Sequence, residues 1–264
     1  MFGVFKPRRI KADLQWRWMK KARANLMVDM KLSDAVKSFS TRNELYAYMH
    51  HYFHNMCSLD VQNHRKYFLC NQRGFGEDAF HAMWYMLLRD FKPKNCLEIG
   101  VYRGQVISLW ALLALKFNFS CDVYGISPFT SAGDSVSSYL EDIDYMDDTI
   151  KNHSVFGLSR PNLLRAFSTD AEAKVLMESK NWDLIYIDGG HDYDTALSDY
   201  ELSKINLAVG GVLIMDDSSL YTDFHPPKFS FGGHPGPSAV VKEKAFQELQ
   251  FLGAVGHNNI FIKI

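Results

Sequence analysis

Cys96-Leu97-Glu98-Ile99-Gly100-Val101-Tyr102-Arg103-Gly104-Gln105 is the stretch on which the fold of this chain turns. It reads as an apolar strand, a turn holding two glycines and then a helix predicted over Val106 to Leu115. In doubly wound sheets a ligand sits at such a turn. Gly100 lets the chain turn sharply, Gly104 permits close backbone approach, and the helix start offers free N–H groups to a ligand's polar tail. The G-x-x-x-G spacing lacks the full G-x-G-x-x-G of nicotinamide-binding turns. Glu98 is the anomaly in the run, because strands buried on both faces seldom carry a carboxylate without a partner. A cationic ligand would supply that partner.

Outward from this turn, short apolar runs alternate with helical stretches. The runs are Cys96 to Ile99, Asp122 to Ile126, Asn162 to Ala166, Trp182 to Ile187 and Gly211 to Met215. Such alternation predicts a parallel sheet with crossover helices. A helix over Ser238 to Glu248 comes next, then a run Phe251 to Val255, a turn at Gly256 to Asn259, and Ile260 to Ile264. The last two runs predict a hairpin that adds an antiparallel edge strand. Upstream, residues 1 to about 90 read as mostly helical, with Glu44 to Met56 and Glu77 to Phe91 as the clearest segments. The expected organisation is a basic arm and helical cap over residues 1–76, and an α/β domain over residues 77–264.

Two of the predicted strands end in acids. Trp182-Asp183-Leu184-Ile185-Tyr186-Ile187 leads into Asp188-Gly189-Gly190-His191, and Gly211-Val212-Leu213-Ile214-Met215 into Asp216-Asp217. Parallel strands finish on one edge, so Asp188, Asp216 and Asp217 should converge beside the glycine turn. Two carboxylates ~4 Å apart repel by about 4 kcal/mol at an effective dielectric of ~20. A hard divalent cation with oxygen ligands offsets that directly, and Mg²⁺ keeps positions open for water and substrate. The alternative is that Asp188 only touches a cofactor while Asp216 and Asp217 cap the next loop.

From Glu98 to Gly104 the chain resembles motif I of the class I S-adenosylmethionine-dependent methyltransferases, and the strand order with its terminal hairpin is similar to that family's seven-stranded, Rossmann-like sheet. The likeness covers about residues 77 to 264. It implies that Glu98, Gly100 and Gly104, with Tyr102 on the same turn, surround the methionine part of S-adenosylmethionine. It also implies that Ser168-Thr169-Asp170 lie beside the adenine. Asp170 reads equally as the N-cap of a helix over Ala171 to Met177. Members usually end the second strand with an acid that holds the ribose; here Ser127 stands there, with Asp134 from the next loop as the other candidate. Taken with the acids, the pattern resembles the metal-dependent sugar O-methyltransferases, including those that modify macrolide deoxysugars. In that resemblance Asp188, Asp216 and Asp217 hold the metal and His191, of the D-x-x-H motif, is the base. Catechol-type methyltransferases use a similar metal arrangement, so the acids alone do not identify a sugar.

Bulk properties narrow the class. With 264 residues, 47% hydrophobic, the chain can bury a large core. No apolar run is long enough for a membrane span and the start lacks a signal-peptide core, so the expectation is a cytoplasmic protein. Cys57, Cys70, Cys96 and Cys121 are widely spaced, as suits reduced packing residues. Lys6, Arg8, Arg9, Lys11, Arg17, Lys20, Lys21 and Arg23 face only Asp13 in the first 23 residues. That arm can touch an anionic membrane surface or an acidic partner, or it is a solvated helix with Leu14, Trp16 and Trp18 packed on the domain. The remainder is acidic in balance and holds no recognition module, which excludes a nucleic-acid partner. The expected partners are a small-molecule or glycan acceptor and a second copy of the chain.

Three further segments bear on the site. The Gly- and Pro-rich loop from His225 to Pro237 leaves the acidic edge as a substrate lid or as an ordinary surface loop. Arg73-Gly74-Phe75-Gly76 closes the site from the other side on the same two terms. His50 and His54, spaced i, i+4 without the glutamate of H-E-x-x-H, read as surface or packing residues. Two other classes stay in view: a Rossmann-like oxidoreductase or hydroxylase relative, and a noncatalytic glycan-binding module.

Overall fold

In the computed structural model, residues 28–132 and 139–264 are described, together with Leu14 and Arg17. Leu14 is helical and exposed rather than packed on the domain. The other arm residues, Trp16 and Trp18 included, lie outside the described residues, as does Asp134.

Among the described residues from 28 onward, four α-helices precede the sheet: α1 (Leu32–Ser38), α2 (Arg42–Asn55), α3 (Leu59–Leu69) and α4 (Asp78–Phe91). The α/β part then runs β1 (Asn95–Ile99), α5 (Gln105–Lys116), β2 (Asp122–Ser127), α6 (Tyr145–Val155), β3 (Asn162–Arg165), α7 (Ala171–Glu178), β4 (Trp182–Ile187), α8 (Tyr193–Asn206) and β5 (Leu207–Met215). After a long loop come α9 (Pro235–Val240), two further helical turns to Glu248, β6 (Gln250–Val255) and β7 (Asn258–Ile262).

The sheet order is β3-β2-β1-β4-β5-β7-β6, parallel as far as β5 and antiparallel beyond it. This is the Rossmann-like architecture that the alternation predicts. The terminal hairpin forms as expected, but its second strand, β7, inserts beside β5 and leaves β6 at the edge. Asn258 and Asn259, expected in the turn, belong to β7 and are buried. β5 starts at Leu207, upstream of the expected Gly211, because its exposed Val209-Gly210 stretch reads as a turn in sequence.

Strand alternation assigns the two faces. Leu97, Ile99, Ile185, Ile187, Leu213 and Met215 pack beneath α7, α8 and α9. Cys96, Leu184, Tyr186, Val212 and Ile214 face the other way, into one continuous core with α1, α2, α4 and α5. Glu98 pairs in register with Tyr186 and Ile214 of the neighbouring strands, so it points to this cap side.

Buried polar bonds tie the hairpin to the loop after β5. The Asn259 amide donates to Ser218 O (3.1 Å), Ser218 Oγ (2.7 Å) and Ser219 Oγ (3.1 Å), and its carbonyl accepts from Arg42 of α2 at 2.7 Å. Ser218 N donates to His257 O at 3.0 Å. Cap, acidic loop and hairpin are thus fixed through one side chain. Asn259→Ala strands these partners and should lower stability by about 1–3 kcal/mol in urea unfolding. Val209→Thr on the exposed start of β5 should stay within about 0.5 kcal/mol. Equal effects would mean that the Asn259 network contributes no net stability.

Candidate active site

Gly100 makes the first turn that the site needs. Its φ is +100°, and a Cβ there would lie 1.8 Å from the Asp188 carbonyl, so only glycine fits. Gly104 has φ +79° and starts α5, but it packs against Thr149 of α6 and does not line the cavity. Glu98, Gly100, Tyr102, Ser127, Ser168 and Asp188 all line one cavity of about 990 Å³. Asp170 does not; it precedes α7 as the N-cap, and its carboxylate accepts from Phe167 N at 2.8 Å. The Ser127 hydroxyl accepts from Phe129 N at 3.2 Å. Tyr102 sits in an aromatic wall, 4.9 Å from Phe75, 5.4 Å from Tyr139 and 5.1 Å from Tyr145 between ring centroids.

Backbone pairing sets the acids one residue beyond the ends of their strands. Asp188 N donates to Ile99 O at 2.8 Å and Asp216 N to Ile187 O at 3.0 Å. Asp217 takes a left-handed conformation, φ +51°, which for an aspartate costs of order 1–3 kcal/mol. Its carbonyl accepts from His234 N at 2.7 Å, and at Gly233 (φ +104°) a Cβ would lie 2.1 Å from that same oxygen. The loop before α9 therefore clamps the strained residue in place.

Asp217 uses both carboxylate oxygens. Oδ2 is 3.0 Å from His191 Nε2 and 3.6 Å from His234 Nε2, with those two imidazoles 4.3 Å apart. Oδ1 is 3.0 Å from His257 Nδ1, which is also 2.8 Å from Asp216 Oδ1. Asp216 Oδ2 accepts from the buried Tyr186 hydroxyl at 2.7 Å. The mutual approach of ligand atoms within 4.8 Å brings together Asp216, Asp217 and His257; Asp188 stands beside them as an electrostatic neighbour of Asp216.

These contacts fix the charges. Burial, then Asp216, Asp217 and Glu98, push the Asp188 carboxyl well above the usual range. Burial would raise Asp217 too, but His191 and His257 beside it hold its carboxyl below the ordinary value. Burial would lower His257, and Asp216 and Asp217 outweigh it and raise it well above an ordinary histidine. Burial pushes Glu98 up to about 8, against the Ile107 N–H and with the help of Asp216, and Glu98 Oε2 has no hydrogen-bond partner among the described residues.

The mouth is built by both segments singled out in the sequence. Arg73, Gly74, Phe75 and Gly76 line one side, and Lys228, Phe229, Ser230, Phe231 and His234 the other. His50, expected to be a surface or packing residue, also lines the cavity, while His54 bonds to Asp78 at 3.0 Å. Sequence reasoning missed Glu77, Gln105, His234 and His257. No periodicity marks a histidine in a hairpin turn, and only the insertion of β7 beside β5 brings His257 to the acids.

Residues 97–218 match a protein family described as a methyltransferase domain. No curated protein matches the sequence. Among solved structures, the chain is similar to a Staphylococcus aureus protein whose assignment as a caffeoyl-CoA O-methyltransferase is itself provisional. They are 17% identical over 81% of this chain and 95% of that one, with a TM-score of 0.56. The SAH-bound Podospora anserina methyltransferase PaMTH1 is 12% identical over 100% of both chains, with a TM-score of 0.56. A methyltransferase from Geobacter sulfurreducens is 12% identical over 79% of this chain and 90% of its own, with a TM-score of 0.51. At these identities the shared property is the fold. The match over residues 97–218 and the shared fold are those of a methyltransferase domain.

Glu98 yields a pH test. Its folded value of about 8 lies above the ordinary 4.5, so between those values the folded protein holds a proton that the unfolded chain has released. This residue's contribution to stability therefore falls as pH rises through that window, by at most about 1.4 kcal/mol per unit. Glu98→Gln cannot titrate. Measured by urea unfolding without added cofactor, its stability relative to the parent should rise from roughly pH 5 to pH 8. A flat difference would show Glu98 ionised throughout.

Proposed function

We propose that the enzyme is a metal-assisted O-methyltransferase whose acceptor is a hydroxyl of a sugar or glycosylated small molecule. The observation that carries this reading is the His191–Asp217 pair placed beside a carboxylate cluster, in the cavity that the Gly100 turn also lines.

The donor set suits both groups the reaction needs. Glu98 Oε2, buried and without a partner among the described residues, fits the cationic methionine end of S-adenosylmethionine, which when bound supplies an electrophilic methyl group. Asp216 Oδ1, likewise buried and without an aligned donor, stands with Asp217 and Asp188 as an oxygen set for a divalent cation, Mg²⁺ by its hardness, which would lower the pKa of an acceptor hydroxyl.

The chain's own residues do the rest. His191 takes the proton of the acceptor hydroxyl, and Asp217 Oδ2 steadies the imidazolium that results. A base so positioned contributes about 10²- to 10⁴-fold. Tyr186 anchors one oxygen of Asp216 through its hydroxyl. Phe229 and Phe231 offer apolar faces for the flat side of a sugar ring, while Lys228, Arg73 and His50 offer polar contacts to its hydroxyls. The same phenyl faces suit a catechol-like ring, which is the second reading.

Mass spectrometry of candidate glycosides and catechols, each incubated with enzyme, cofactor and Mg²⁺, decides between the two acceptors by which gains one methyl. His191→Ala should reduce turnover by about 10² or more with little change in acceptor affinity. Asp216→Asn, equal in shape and lacking the charge, should abolish transfer while leaving cofactor binding nearly intact. Full activity of the parent after exhaustive chelation would remove the cation from the mechanism.

A further inference from the structure

The ligand set implied by the family resemblance is three carboxylates, Asp188, Asp216 and Asp217. The fold adds an imidazole to it. His257 occupies the two-residue turn between β6 and β7, and three contacts hold it there. Gly256, at φ +62°, packs against the Phe80 ring; Ser218 N binds the His257 carbonyl; and the imidazole is wedged between Phe80 and Phe231, each 4.7 Å away between centroids. The residue is 5% exposed.

Its Nδ1 is the part without a settled partner. Asp216 Oδ1 and Asp217 Oδ1 lie 2.8 and 3.0 Å away, yet neither sits where the ring N–H points, and Nδ1 and Asp216 Oδ1 both lack an aligned hydrogen bond. A buried acceptor and a buried ring nitrogen that face each other off-line are costly as a hydrogen-bond pair. The same arrangement is natural when two oxygens and a nitrogen converge on one point. The far side of the ring supports this. Nε2 lies 3.9 Å from Glu77 Oε1, and Glu77 Oε2 accepts a hydrogen bond from the Tyr46 hydroxyl. A carboxylate behind an imidazole, itself held by a further donor, is the usual support of a metal-binding histidine. His191 and His234 approach Asp217 through its other oxygen, so they are not part of this set.

We propose that His257 is a ligand of the cation held by Asp216 and Asp217, and that the site is built for a first-row transition ion in preference to Mg²⁺. Mixed nitrogen and oxygen donors favour Mn²⁺, Fe²⁺, Co²⁺ or Zn²⁺, whereas Mg²⁺ takes oxygen and water. The inference rests on the metal-assisted reading above and changes its cation from the one that carboxylates alone suggest.

The test uses the full chain stripped of metal by chelation and desalting, titrated by calorimetry with Mg²⁺, Mn²⁺ and Co²⁺. Co²⁺ should bind the parent at least about tenfold more tightly than Mg²⁺. His257→Gln should weaken Co²⁺ binding by about 10- to 100-fold and Mg²⁺ binding far less, with the visible Co²⁺ absorption shifted as a nitrogen donor is lost. Equal Co²⁺ affinity and an unchanged spectrum in His257→Gln would overturn the proposal and leave His257 as a counter-charge for the acids. Binding of no cation by the parent would instead defeat the metal-assisted reading itself, and this proposal with it. Should His257→Gln not fold, spin-echo spectroscopy of the Mn²⁺-loaded parent decides. Modulation from a directly bound imidazole nitrogen supports the assignment, and its absence overturns it.

Discussion

Parallel strands that end level deliver the residues after them to one edge, and the residues immediately after β4 and β5 are aspartates. Together with Glu98 from within β1, this sets four carboxylates around one end of a cavity and leaves the rest of the site to compensate. Compensation comes from three directions: the Tyr186 hydroxyl from the sheet, His191 and His234 from the loops, and His257 from the hairpin. Each accounts for a feature that is otherwise puzzling. Asp217 is held in a strained conformation because it must present one oxygen to His191 and the other to His257. Gly233 is a glycine because the loop must come within contact of the Asp217 carbonyl to keep it so.

The cap is part of this arrangement and not an appendage to it. It shares a core with the cap face of the sheet, and it reaches the acids twice, through Arg42 on Asn259 and through Tyr46 and Glu77 behind His257. The same helices supply His50, and the segment after α3 supplies Phe75 to the cavity wall. A cap that carries part of the cavity wall and also braces the acids links the shape of the cavity to the placement of its carboxylates.

Much of this was legible in the residues. Alternating apolar runs and helical stretches gave the parallel sheet, the glycine turn marked one edge of the cavity, and the acids after two strands located the cluster. Where sequence reading failed, it did so for identifiable reasons. Helix α3 (Leu59-Asp60-Val61-Gln62-Asn63-His64-Arg65-Lys66-Tyr67-Phe68-Leu69) buries only Val61, His64 and Phe68, too few to announce itself by period. Asn258 and Asn259 look like turn residues, and only their burial between β5 and β6 shows them to be strand. Gly104 looked like a glycine making room for ligand, yet its crowding comes from Thr149, which lies far away in sequence. Local chemistry was readable, while contacts made by strand insertion were not.

That insertion has a consequence for how the enzyme is made. Synthesis delivers β5 and its two aspartates well before β7, and in that interval the edge of β5 stands unpaired and the acids lack His257. Without β7, β5 would be an edge strand, the kind of element that pairs with neighbouring chains unless it is covered. The last stretch of chain to be made therefore does two things as it docks: it covers the edge of β5 and brings His257 to the acids.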